Sequence, residues 1–448
     1  MKPTLLLCLL LVLSPAFAQQ VPQQYIDEAL ANNRVLKDKN IALNKSLLAL
    51  KEAKSLFLPS SAFEAQYTLA KGGRAIEIPV GDLMNPVYAT LNQLTGSNNF
   101  KPISNVSEQL NPDNFYDLRI KTTMPIINPA LQVNRNIQQQ QVSLQTNEVD
   151  LYKRELVKEI KMAYFNYLAA GKAILIYDNA LSLVNQNLRS NESLLKNGKG
   201  LPAYVTRAEA EVKQVENQLL TARNEERNAK AYFNFLLNKP LTDTIISQAP
   251  ELKEAILPFT GPETADVSKR EELKGLSIAK TINAQVLKLN QAYRTPRLNA
   301  FLDLAAQGFD FTVNNKSFFY LGGVQLQIPL FQGKRNLYKI QQTQLDNQSL
   351  LLNTDQVKEQ LQLAAFVSRN NVTTAFGNYQ SALKQEEAAV KYFSLIDKGF
   401  KEGINPYIEL LDARTQLTNA RLLVNINETK IWLALTDYER QTASYTLQ

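Results

Sequence analysis

Histidine is absent from this 448-residue chain, and cysteine occurs once, at Cys8. Without histidine the chain lacks the usual general base, the usual zinc ligand and the usual switch near neutral pH. Residues 1–18 read as a secretory signal peptide: Lys2, a nine-residue apolar run from Leu5 to Leu13, then the A-x-A site Ala16-Phe17-Ala18. The mature chain is expected to begin near Gln19, with no thiol, disulfide or cysteine metal ligand. No cysteine follows the cleavage site to carry a lipid anchor. Long apolar runs are also missing. Nine residues fall short of the ~20 needed by a transmembrane helix, and no later segment holds 18 consecutive apolar residues. A membrane-embedded form would have to be a β-barrel, because only helices and closed barrels satisfy the backbone in lipid.

Charge of one sign is not concentrated anywhere. The net charge of +7 becomes +6 without Lys2, and acidic and basic residues are interspersed. This describes a solvated surface rather than a nucleic-acid footprint. Gly198-Lys199-Gly200 lacks the third glycine and the preceding strand of a dinucleotide site, and Gly333-Lys334 lacks the upstream glycine of a P-loop. No catalytic constellation, cofactor site or metal site is expected, and the chain is not read as an enzyme.

What the chain does have is one long stripe. Ile160, Ala163, Tyr167, Ala170, Ile174, Tyr177, Leu181, Val184, Leu188, Asn191 and Leu195 recur in steps of three and four. That spacing marks a helix packed as in a coiled coil. The helix is expected over 131–196, roughly 100 Å at 1.5 Å per residue. A shorter helical pattern covers 22–57. Strict alternation then marks strands at about 61–71 and 115–127. Residues 74–113, with Pro79, Pro86, Pro102 and Pro112, read as a long loop without regular structure. A returning helix follows Pro202, and 241–265 reads as a linker.

The plan then repeats, with strands at about 297–312 and 317–330, a second long helix at about 336–398, and a last helix after Pro406. Pro125 to Pro329 spans 204 residues, and so does Pro202 to Pro406. Ala163-Tyr164-Phe165-Asn166-Tyr167 returns as Ala375-Phe376-Gly377-Asn378-Tyr379. The chain is thus read as a signal peptide (1–18), a first repeat (19–240), a linker (241–265) and a second repeat (266–448). The fold class is mainly α with a membrane β part. Four strands per chain cannot close a barrel, and open edges are not tolerated in lipid. Several identical chains must pool their strands and helices.

With its duplicated order of elements, its strands closed by Met124-Pro125 and Ile328-Pro329, and the segments Gly198-Lys199-Gly200-Leu201-Pro202 and Ile408-Glu409-Leu410-Leu411-Asp412-Ala413, the sequence resembles the TolC-type outer-membrane efflux proteins. The resemblance implies a homotrimer whose twelve-stranded β-barrel, set in outer-membrane lipid, continues into a coiled-coil α-helical barrel across the periplasm. It implies a passive exit duct of a tripartite efflux or type I secretion system, partnered by a periplasmic adaptor and an inner-membrane pump, in a Gram-negative bacterium. A periplasmic coiled-coil adaptor or scaffold with a small β-domain is the competing reading.

Three groups of residues stand out. By resemblance, Glu409 and Asp412 occupy the acidic pore constriction; three apart, they share one helix face, though a plain solvated face would look the same. Where the family often has a basic residue holding the tip shut, this chain has Asn405. Glu64, Asp117, Arg119, Lys121 and Asp303 lie on the polar strand faces, either in a hydrated lumen or on a small soluble sheet. The turns containing Gly198, Gly200, Pro202, Gly399, Gly403 and Pro406 would dock an adaptor or pump, or simply join helices. Phe63, Tyr67, Phe115, Phe318 and Tyr320 fit membrane-interface girdles or a core equally.

Overall fold

The computed structural model describes residues 21–248, 252 and 266–447. The signal-peptide reading and most of the latter part of the linker lie outside the described residues. In chain order the elements are α1 (Gln23–Asn32), α2 (Arg34–Ser55), β1 (Ser60–Thr68), β2 (Ala75–Ile78), α3 (Val80–Thr95), β3 (Val106–Gln109), β4 (Phe115–Ile127), α4 (Pro129–Lys196) and α5 (Pro202–Leu236). The second half adds α6 (Glu271–Gln291), β5 (Arg297–Phe309), β6 (Phe318–Gln327), α7 (Arg335–Lys401) and α8 (Tyr407–Thr442). The chain divides into a helical unit, built from residues up to 47, 140–284 and from 345 on, and a sheet unit built from 48–139 and 285–344.

In the helical unit the two copies of the repeated motif share one core. Ala163, Tyr164 and Phe165 from the first copy and Ala375 from the second are buried together with Tyr25, Phe233 and Trp432, and Phe376 and Tyr379 pack against them. Phe165 stacks on Trp432 at 5.2 Å, and Tyr25 meets Phe233 edge-on at 5.2 Å. Each such fully buried side chain contributes about 1.5–3 kcal/mol of transfer free energy. Farther along, the stripe of α4 meets that of α5 through Ala180, Val184, Val212 and Val215, and α7 meets α8 through Ala389, Leu417 and Ala420. The helix expected over 22–57 is two helices. Asn33 leaves helical geometry and its Oδ1 accepts the Leu36 N–H at 3.0 Å, so it caps α2.

Ion pairs tie the ends of α6 and α8 to α4. Arg154 forks onto Glu271, and Arg440 bonds both Glu155 and Glu272. Arg270 reaches Glu272 at 2.7 Å and the carbonyls of Arg440 and Gln441. Burial would raise the Glu272 carboxyl, but Arg270 and Arg440 override it and hold the group at about 2, against an ordinary 4.5. A depressed carboxyl contributes stability above its unfolded pKa and loses it as pH falls toward the folded one. The contribution of Glu272, about 3 kcal/mol at about 1.4 kcal/mol per tenfold change in proton affinity, should therefore disappear between pH 4.5 and 2. Acid unfolding followed by circular dichroism should show Glu272→Gln less stable than the wild type at pH 7 and closer to it at pH 2.5.

In the sheet unit four antiparallel strands run in the order β1-β4-β5-β6, which leaves β1 and β6 as free edges among the described residues. The β1–β4 and β5–β6 connections lie at one end of the sheet, and α2, α4, α6 and α7 adjoin the other. The expectation that 74–113 is irregular is overturned. The segment forms β2, paired with β3, and the helix α3 with Pro86 inside it. Its Asn residues act as fasteners. Asn85 bonds both the N–H and C=O of Ile103, and Asn92 does the same with Phe100. Gly81 is required here, since a Cβ would meet the Ile103 carbonyl at 2.5 Å. The last helix turn is also longer than expected: α7 runs to Lys401, so Gly399 lies inside the helix rather than in the turn.

Candidate functional site

The sheet has two unlike faces. Glu64 pairs across with Arg119, Asp117 with Gln66 and Gln307, and Lys121 with Asp303, so all five polar residues singled out in the sequence share one face. Arg119 bonds Asp117, and its Nη1 lies 4.0 Å from Asp303. Asp303 is buried, and its Oδ1 has no partner among the described residues. The opposite face carries Phe63, Leu118, Ile120, Leu302, Leu304, Phe318, Tyr320, Val324 and Leu326, all exposed, with Phe63 at 68% and Tyr320 at 78%. An apolar face this open, with no element laid over it among the described residues, is a surface that water disfavours.

The aromatic residues divide. Phe63, Phe318 and Tyr320 stand on the apolar face, whereas Phe115 lies on the polar one, 5.1 Å from Phe309. Tyr67 stacks on Phe311 at 5.0 Å near the connected end of the sheet. Tyr116 presses its ring over Gly308, where a Cβ would meet it at 2.7 Å, and donates its hydroxyl to Thr312 C=O.

The two helix turns are built alike. At the first, Gly198 takes φ +68° and Lys199 N–H bonds Leu194 C=O; at the second, Gly403 takes φ +74° and Ile404 N–H bonds Gly399 C=O. These are left-handed helix stops, which glycine adopts without strain. Gly200 permits close approach, since a Cβ would lie 2.7 Å from Leu195 N. Pro202 opens α5 and Pro406 precedes α8. The structure brings the turns together: Tyr407, Leu410 and Ala208 share a core, and Tyr204 and Tyr407 are 5.6 Å apart.

Glu409 and Asp412 sit on α8 beside this core but not in it. Glu409 is half-buried and accepts from Asn405 Nδ2 at 2.7 Å; Asp412 is exposed and accepts from Gln416. A third group went unnoticed in the sequence. Arg414 of α8 bonds Glu211 of α5, both buried, and so links the first repeat to the second. The available signal was positional: Glu211 and Arg414 lie nine and eight residues past their respective prolines, each beside a stripe residue.

Residues 281–434 match the family model described as outer membrane efflux protein. This stretch carries an outer membrane efflux protein domain. The chain has the fold of the Campylobacter jejuni CmeC outer membrane channel, at 14% identity and TM-score 0.72, over 94% of this chain and 85% of that one. The outer membrane protein VceC of Vibrio cholerae is similar at 14% identity and TM-score 0.71, covering 94% and 95%. The open-state Neisseria gonorrhoeae MtrE outer membrane channel gives 14% and 0.70, covering 94% and 88%. No curated protein matches the sequence. The matched family and these similar structures are outer-membrane efflux channels, which does not favour the reading as a periplasmic adaptor.

Proposed function

We propose that the chain is an outer-membrane efflux channel, three copies of which close a twelve-stranded barrel in the outer membrane and extend it as a helical duct through the periplasm, to an adaptor and an inner-membrane pump. The observation that carries this is the open four-stranded sheet, apolar and exposed on one face, charged on the other, with both edges free. In lipid, unpaired strand edges cost several kcal/mol per group, and three copies leave none. The exposed apolar residues of α7, among them Leu345, Leu352, Leu363 and Leu395, need neighbours of the same kind. Glu64, Asp117, Arg119, Lys121 and Asp303 then line a hydrated, mixed-charge lumen.

At the far end, Glu409 and Asp412 of three chains form a ring of six carboxylates that attracts cations and hinders anions. The turns at Gly198, Gly200, Pro202, Gly403 and Pro406, with Gly399 at the end of α7 beside them, present the docking surface for the adaptor or pump. Asn405 donates to the Glu409 carboxylate within one chain, and the buried Arg414–Glu211 pair ties α8 to α5 near this tip. The test is single-channel recording in planar bilayers. Glu409→Gln/Asp412→Asn should lose most of the cation preference of the wild type; unchanged selectivity removes the ring.

A further inference from the structure

The excursion between β1 and β4 is a finished piece of structure with no core on its outer side. Residues 79–100 contain one charged residue, Asp82. One face of α3 is fastened to the returning segment: Asp82 N–H to Asn105 Oδ1, Asn105 Nδ2 to Asp82 Oδ2, and the paired amide bonds of Asn85 and Asn92. Tyr88 lies 5.7 Å from Phe100 on the same construction. The other face projects Leu83, Val87 and Leu94, exposed at 68%, 48% and 78%. Gly96 at φ +59° stops the helix cleanly. So many fasteners on one side hold the leucines outward rather than leaving them to collapse.

We infer that this face is an interface between copies of the chain: α3 of each protomer packs against the excursion of the next, making a crown at the outer mouth of the duct. The inference rests on the trimer proposed above. Two observations select a second copy over other occupants. The excursion hangs from β1, the free edge strand that must pair with the neighbouring chain, so it adjoins that seam. And α3 carries no Lys or Arg, whereas helices that lie on anionic lipid carry basic residues on their polar face. A near-neutral helix meets identical helices around a three-fold axis without repulsion. Barrel closure raises the local concentration of the three copies, so a modest patch suffices.

The experiment uses the full-length protein, whose only native cysteine, Cys8, precedes the expected mature start. Leu83→Cys and Leu94→Cys place a thiol on the outward face, and Gln93→Cys, also exposed, on the flank. Purified protein is treated with a short bis-maleimide and run on denaturing gels, with its assembly state measured in parallel by light scattering in detergent. Most of the Leu83→Cys and Leu94→Cys chains should shift to cross-linked dimers, and Gln93→Cys far less. A trimer without cross-links, or equal cross-linking at all three sites, overturns the crown alone; a monomer overturns the trimer with it. Quenching of a fluorophore attached to the Leu94→Cys variant by spin-labelled lipid would assign the face to the bilayer and equally overturn the inference.

Discussion

Glu271→Ala should be among the most destabilising single substitutions in the helical unit. Arg154 holds Glu271 through Nε at 2.8 and 2.9 Å and through Nη2 at 2.7 Å, while Nη1 donates to the Tyr445 carbonyl at 2.7 Å. Both side chains are only 8% exposed. Removing the carboxylate leaves a guanidinium desolvated and uncompensated, which costs about 3–5 kcal/mol. The pair joins α4 to the start of α6 and, through Tyr445, to the end of the described chain, so the loss spreads over three segments. Thermal unfolding by circular dichroism should show a clear drop in Tm. Arg154→Leu/Glu271→Leu should recover most of it, because apolar replacement of a buried pair is often neutral. A double variant as unstable as the single one would place the cost in lost packing instead.

The second large effect concerns the sheet. Leu304 lies mid-strand in β5 on the exposed apolar face, level with Ile120 and Tyr320. Leu304→Arg should cost about 2–4 kcal/mol per chain if that face meets the bilayer midplane, and a trimer takes the cost three times over. Carbonate washing of membranes should release much of this variant, whereas the wild type yields only to detergent. Gln66→Arg, on the face shared with Asp117, should stay with the membrane. Equal behaviour of the two variants would contradict the assignment of faces.

Much of this architecture could be read from residue order. The strands announced themselves by alternation, which put one at about 115–127, where β4 spans Phe115–Ile127. The 204-residue offset between paired prolines exposed the duplication. What resisted reading were places where a breaker is used as a connector. Asn33 splits a helix by capping the next one, and Asn85, Asn92 and Asn105 bind α3 to the segment that returns toward β3. A side-chain amide that bonds the local backbone favours a loop; the same amide bonding a backbone many residues away favours a helix, and composition does not separate the two.

Periodicity alone determined the long helices and the amphipathic strands, because the spacing of apolar residues sets which face must leave water whatever lies beyond it. Which charged groups would meet was decided only in three dimensions. Arg154 finds Glu271, Arg414 finds Glu211, and Arg440 finds both Glu155 and Glu272 across 117 to 285 residues of sequence. Each of these charges sits beside an apolar stripe and looks solvated in one dimension. Only the packing of neighbouring helices removes water from it and makes its partner obligatory.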